Sequence, residues 1–218
     1  MHLSLFFKLL LMLILTATSA FANSATSVPV TVLALGDSLT AGYGLKQDES
    51  FPAQLEKALL SAGYAVKVVN AGVSGDTSAG GLARIEWALA DRPQIVVVEL
   101  GANDALRGLD PAQTHANLDQ IIARLNQAGC RVILAGMQSP RNLGPDYNNT
   151  FDQIYANLAK RYELLFYPFF LEGVATDPEL NQVDGIHPNS AGVRLIVKGL
   201  QPLVALAIDE LIASEANE

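Results

Sequence analysis

Cysteine occurs once in the chain, at Cys130, so no disulfide can form within it and the core alone must hold the fold. Cys130 opens the apolar run Val132-Ile133-Leu134, which reads as the setting of a small buried hydrophobe. Histidine is nearly as scarce, with only His2, His115 and His187. With so few His and Cys, a metal site built on them cannot be assembled, and neither metal nor other cofactor is expected. Basic residues number 14 against 22 acidic ones and form no run. That balance repels nucleic acid and anionic lipid. Charged residues make up 17% of a chain that is half hydrophobic, which excludes a disordered protein. Three motifs are also missing. There is no Walker A and no Gly-x-Gly-x-x-Gly, so no phosphate cradle. Neither Gly36-Asp37-Ser38-Leu39-Thr40 nor Gly72-Val73-Ser74-Gly75 is the Gly-x-Ser-x-Gly elbow of α/β-hydrolases.

What the chain does have begins with a leader. Residues 1–22 carry Lys8, the run Leu9–Leu15 and then Ala20-Phe21-Ala22. A charged segment, a short apolar segment and an A-x-A site make a signal peptide. The apolar stretch is short for a membrane span of roughly 20 residues. No cysteine follows the cleavage site closely enough to carry a lipid anchor. The expected mature protein is residues 23–218, periplasmic or secreted, with no stable membrane anchor. Losing Lys8 leaves 13 basic against 22 acidic residues, a net charge of −9.

Along residues 23–218, apolar runs alternate with helical patterns. Val30–Leu35, Ala65–Asn70, Ile95–Leu100, Val132–Ala135 and Leu164–Phe166 read as strands. The unbroken run Ile95-Val96-Val97-Val98 fits a parallel strand covered on both faces. Helices are expected from Phe51 with Ser50 as cap, over Ser78–Ala90, from Pro111 with Asp110 as cap, over Asp146–Tyr162, and from about Ser190. Pro202 is expected to kink or split the last helix. This alternation implies one α/β domain of three layers, a five-stranded parallel sheet with helices on both faces, as in flavodoxin-like folds.

In such folds the segments after the strands meet at one edge, where ligands bind. They are Gly36-Asp37-Ser38, Asn70–Thr77, Gly101-Ala102-Asn103-Asp104 and Gln138–Asn142, joined near the end by Asp184-Gly185-Ile186-His187-Pro188. Ser38 becomes a nucleophile if a base, an orienter and oxyanion donors accompany it. His115 falls mid-helix, where a solvated side chain is the simpler reading. His187 falls in a loop three residues after Asp184, and a carboxylate there could fix its tautomer. An Asx turn beside a surface histidine would use the same residues. The Ser38 N–H, a Gly75 N–H free of any Cβ and the Asn103 amide are possible oxyanion donors. Taken singly, glycines and asparagine in loops are ordinary turn residues.

Taken together, four blocks in order resemble the GDSL, or SGNH, hydrolase family: Gly36-Asp37-Ser38-Leu39, Gly75 within Ser74–Ser78, Gly101-Ala102-Asn103-Asp104, and Asp184-Gly185-Ile186-His187-Pro188. Leu106-Arg107-Gly108-Leu109 and Tyr167-Pro168-Phe169-Phe170 are similar to its arylesterase, thioesterase I and lysophospholipase L1 group. The resemblance implies Ser38 as nucleophile, His187 as base and Asp184 as its orienter. Ser38, Gly75 and Asn103 would form the oxyanion hole. It implies a serine esterase acting on small acyl esters, thioesters or lysophospholipids, and a monomer. Ala102 departs from the pattern, a second glycine being common there. An acyltransferase using the same triad, and a non-catalytic binding module on the same sheet, are the rival readings. Leu106 and Leu109 either line an acyl pocket or pack beneath their loop.

Overall fold

The computed structural model describes residues 29–216. The expected signal segment, residues 1–22, lies outside the described residues. Five runs rich in apolar residues form one sheet: β1 (Val30–Gly36), β2 (Val66–Gly72), β3 (Ile95–Glu99), β4 (Arg131–Ala135) and β5 (Leu165–Tyr167). The order is β2-β1-β3-β4-β5, and every pairing is parallel. β3 is buried along its whole length, as its uninterrupted apolar run requires. The sheet reverses direction of growth at β1, so β1 and β3 flank a crevice at their carboxyl ends.

Eight α-helices complete the described residues: α1 (Ser38–Ala41), α2 (Phe51–Ser61), α3 (Ser78–Ala83), α4 (Ile85–Leu89), α5 (Ala102–Leu106), α6 (Pro111–Gln127), α7 (Pro145–Tyr162) and α8 (Ser190–Glu215). Helices α2 and α8 pack together on one face of the sheet; α3, α4, α6 and α7 cover the other. Spacing of three and four residues buries Leu118, Ile121, Ile122 and Leu125 on α6, and Phe151, Ile154, Tyr155 and Leu158 on α7. Each such side chain removed from water stabilises the fold by about 1.5–3 kcal/mol. On the opposite face, Phe51 of α2 meets Phe170 edge-on, with ring centroids 5.1 Å apart.

Three expectations change. The helix expected over Ser78–Ala90 is two short ones, broken at Arg84. Its guanidinium turns back to Asp76 and to the carbonyls of Ala71 and Gly36, tying the ends of β1 and β2 together. Ser50 occupies the cap position of α2, yet its hydroxyl donates to Gln47 O at 2.8 Å and not to the helix. Helix α8 runs through Pro202 as a single element of 26 residues. Both Pro202 and Lys198, whose carbonyl loses its donor, lie on the exposed side, where water can take that place. The amphipathic pattern on both sides of Pro202 keeps packing on the same sheet face.

Candidate active site

The serine is placed by a turn that three buried groups hold. β1 ends at Gly36, which pairs with Glu99 at the end of β3. A Cβ on Gly36 would lie 2.1 Å from Thr40 Oγ1 and 2.5 Å from Glu99 Oε2, so only glycine lets the Glu99 side chain cross under the turn. Glu99 Oε2 accepts the Thr40 hydroxyl at 2.7 Å and the Asp37 N–H at 3.3 Å. Asp37 caps α1, its Oδ1 accepting the Leu39 N–H at 3.0 Å. Ser38 is therefore the first residue of a helix at the β1/β3 crevice. Burial pushes the Glu99 carboxyl well above its ordinary range, with the nearby Asp37 adding to the rise. Burial likewise pushes Asp37 up to about 6, against the lowering effect of its bonds from Leu39 and Asn103.

The long segment after β5 delivers the histidine. It contains no strand, and amide side chains hold it instead. Asn181 Nδ2 donates to Val174 O and Asp177 O, and Asn189 Nδ2 to Glu179 O. Gln182 Nε2 bonds Tyr43 O at 2.8 Å, tying the segment to the chain just past α1. Asp184 Oδ1 accepts the Ile186 and His187 N–H groups at 2.9 and 3.0 Å, an Asx turn. Its Oδ2 lies 2.7 Å from His187 Nδ1. The turn and the carboxylate–imidazole pair are thus one structure, using one oxygen each. These bonds, with the His187 N–H first, hold the Asp184 carboxyl down at about 2. An ionised Asp184 only accepts, so Nδ1 carries the ring proton and Nε2 is a free acceptor. His187 Nε2 stands 2.9 Å from Ser38 Oγ. The Tyr43 ring lies 4.7 Å from the imidazole, centroid to centroid, at an interplanar angle of 37°.

Two further strand ends contribute possible donors. Gly75 sits at φ +84°, a conformation that side chains resist. Its carbonyl accepts Arg107 Nη2 at 2.7 Å, which fastens the glycine loop to α5. Asp76 in that loop pairs with Arg84 at 2.6 Å. Asn103, on α5 after β3, gives its amide hydrogens to Asp37 Oδ2 and Asp76 O, both at 2.9 Å. The adjacent Asp104 is buried and accepts the Ser78 N–H and hydroxyl and the Thr114 hydroxyl, locking α3, α5 and α6 together.

Beside Ser38 opens a cleft of about 560 Å³. Leu39, Leu106, Met137, Phe169, Leu171 and Ile186 supply most of its apolar lining, and Asn103 and His187 reach its mouth. A mostly apolar cleft with a few convergent polar groups is the form of a small-molecule site.

Known proteins resemble this chain over most of its length. The sequence model of the GDSL-like Lipase/Acylhydrolase family matches residues 34–195, from the end of β1 into the first turns of α8. The chain belongs to that family. It is 43% identical to Esterase TesA of Pseudomonas aeruginosa over 173 residues, covering 79% of this chain and 86% of that protein. It is 44% identical to Thioesterase 1/protease 1/lysophospholipase L1 of Escherichia coli K12 over 179 residues, covering 80% and 85%. A crystal structure of AlinE4, an SGNH-hydrolase family esterase, matches with a TM-score of 0.70 and 47% identity, covering 82% of this chain and 96% of that one.

In this GDSL-like hydrolase Ser38, His187 and Asp184 come together as one hydrogen-bonded row, and Asn103 and the Gly75 loop lie alongside. His115 does not join them. It lies half-buried between α6 and α7 in a separate pocket with Asn149 and Asn157. Leu106 lines the cleft; Leu109 does not, and its carbonyl instead accepts the Tyr147 hydroxyl at 2.8 Å. Sequence reasoning missed Asp37, Arg84, Glu99 and Arg107. The glycine of the first block was a signal for Glu99, because a residue without Cβ marks a close approach. Nothing in the sequence pointed to the two arginines, whose partners are backbone carbonyls together with the Asp76 carboxylate of Arg84.

Proposed function

We propose that this hydrolase cleaves acyl esters and thioesters through an acyl-enzyme on Ser38. The observation that carries the proposal is the row Ser38 Oγ–His187 Nε2 at 2.9 Å and His187 Nδ1–Asp184 Oδ2 at 2.7 Å, opening on an apolar cleft. Ser38 Oγ attacks the carbonyl carbon as its proton passes to His187 Nε2. Asp184 keeps that nitrogen unprotonated at rest and stabilises the imidazolium once formed. The carbonyl oxygen gains charge and is met by the Ser38 N–H, the Gly75 N–H and the Asn103 amide. His187 then protonates the leaving alcohol or thiol. Water repeats the sequence on the acyl-enzyme and frees the acid. The acyl chain lies along Leu106, Phe169 and Leu171, which suits the esters and lysophospholipids suggested by the relatives' names. We further propose that residues 1–22 act as a cleaved signal peptide and that residues 23–218 work in the periplasm or outside the cell, as a monomer.

An organophosphonate fluoride tests the nucleophile. We expect one covalent adduct on Ser38, located by peptide mass analysis, with loss of p-nitrophenyl ester hydrolysis. Active protein that gains no adduct, or gains it at another residue, would remove Ser38 from the mechanism.

A further inference from the structure

The acid next to the nucleophile takes no part in the proton relay, yet every bond it makes serves the site. Asp37 has no exposed surface. Its N–H is held by Glu99, its Oδ1 by the first turn of the serine's helix, and its Oδ2 by Asn103 Nδ2 at 2.9 Å. A carboxyl in such a place loses its hydration and is tolerated only where its bonds replace water.

Asn103 is equally constrained. Its amide nitrogen faces two acceptors, the Asp37 carboxylate and the Asp76 carbonyl, both at 2.9 Å. A flipped amide would turn Oδ1 on both of them, placing acceptor against acceptor. Asp37 and the Asp76 carbonyl thus fix which end of the amide faces the crevice. The Asp76 carbonyl belongs to the glycine loop, whereas Asp37 belongs to the helix that carries Ser38. Only the Asp37 bond ties the amide to the nucleophile's own element.

We infer that Asp37 is a positioning residue: one carboxylate caps the nucleophile's helix and holds the Asn103 amide in register with it. This inference rests on the proposed roles of Ser38 and Asn103. A preset donor needs no reorientation as charge develops, and that is where such donors gain their effect. The oxyanion then shares the Asn103 N–H with Asp37 in a three-centre bond.

Two substitutions separate this role from plain support. Asp37→Ser keeps an oxygen able to cap α1 but is too short to reach Asn103. Asp37→Asn keeps the shape but has a single acceptor oxygen, so either Leu39 or Asn103 is left facing an amide nitrogen. With p-nitrophenyl acetate, we expect D37S to lower kcat by about tenfold or more while KM stays within about threefold. In an Asn103→Ala background the same change should cost less than about threefold, because the group it positions is gone. Should D37S fail to fold, D37N is read by the same kcat, KM and double-substitution measurements. Equal losses with and without Asn103, or a kcat within about threefold of wild type, would overturn the positioning role. Phosphonate labelling of the wild type separates the two levels of failure. No adduct on Ser38 overturns the nucleophile assignment together with this inference. A clean adduct with undiminished D37S turnover overturns the inference alone.

Discussion

At the scale of single residues, the site divides its acids by environment. Asp184 is partly exposed and bonded by N–H groups from three directions, so it stays ionised across the range in which a histidine titrates. Asp37 and Glu99 are buried, and desolvation drives both upward. The ionised acid is the one that faces the imidazole, which makes the row directional. Asp184→Asn should keep the Asx turn, because its remaining oxygen can still accept from Ile186 and His187. It would, however, present an NH₂ to Nδ1 and favour the tautomer with its proton on Nε2. We expect kcat to fall by roughly 10³–10⁴ with an unchanged circular dichroism spectrum, as for other triads whose carboxylate becomes an amide. A loss under tenfold would mean that the turn, and not the charge, is what Asp184 contributes.

At the scale of elements, the strand-end loops and the short helices α1 and α5 that follow β1 and β3 carry the chemistry, while the long helices support them. Helix α5 has five residues, yet it presents Asn103, Asp104 and Leu106 to three different neighbours. Helical spacing sends Asn103 and Leu106, three residues apart, toward the cleft, whereas Leu109 lies past the end of α5, its carbonyl bonded to the Tyr147 hydroxyl of α7. Leu106 remains 54% exposed, which leaves it open to contact with a ligand. Leu106→Ala should therefore weaken the preference for long acyl chains by several-fold in kcat/KM on a p-nitrophenyl ester series, about one buried methylene or two in transfer terms. Leu109→Ala should leave the chain-length profile unchanged. If the two variants shift it alike, the acyl chain runs over the loop and not into the cleft. The split between α3 and α4 has a related cause. Arg84 leaves helical geometry because its guanidinium is worth more bridging Asp76 and two strand-end carbonyls than continuing a helix already weakened by Gly80 and Gly81.

At the scale of the whole molecule, burying acids at the site sets the pH dependence of stability. Burial holds Asp37 at about 6 in the fold, above its ordinary value of 3.8. The folded state therefore binds that proton more tightly than the unfolded chain does. This contribution favours the fold at acid pH and is lost as pH rises from about 4 to about 6, up to about 3 kcal/mol. Glu99 acts in the same direction. Asp184 opposes them: its lowered value stabilises the fold above about 4 and loses that effect as pH falls toward 2. Calorimetric melting of wild type and D37S across pH 4–8 checks the first of these. The melting temperature of D37S should gain on wild type between pH 4 and 6 and hold a constant offset above 7. An offset that is flat from pH 4 would mean that Asp37 binds no extra proton in the fold.

Much of this architecture was legible before any coordinates. Apolar runs located all five strands and helical patterns the long helices, because burial dictates both locally. The four blocks pointed to Ser38, Gly75, Asn103, Asp184 and His187, since turn glycines and scarce histidines are local signals too. The order of the strands was not legible, nor was the pairing of Gly36 with Glu99 that puts a buried acid beneath the serine's turn. Arg84, Arg107 and Asp37 act on groups dozens of residues away, and Leu109 parts from Leu106 because α5 ends at Leu106 and the chain turns at Gly108. Sequence determined which segments are strands, helices and turns, because those depend on neighbours along the chain. Tertiary structure alone decided which polar groups share the β1/β3 crevice and in what protonation state. Those depend on burial and on contacts across the sheet, which no local pattern encodes.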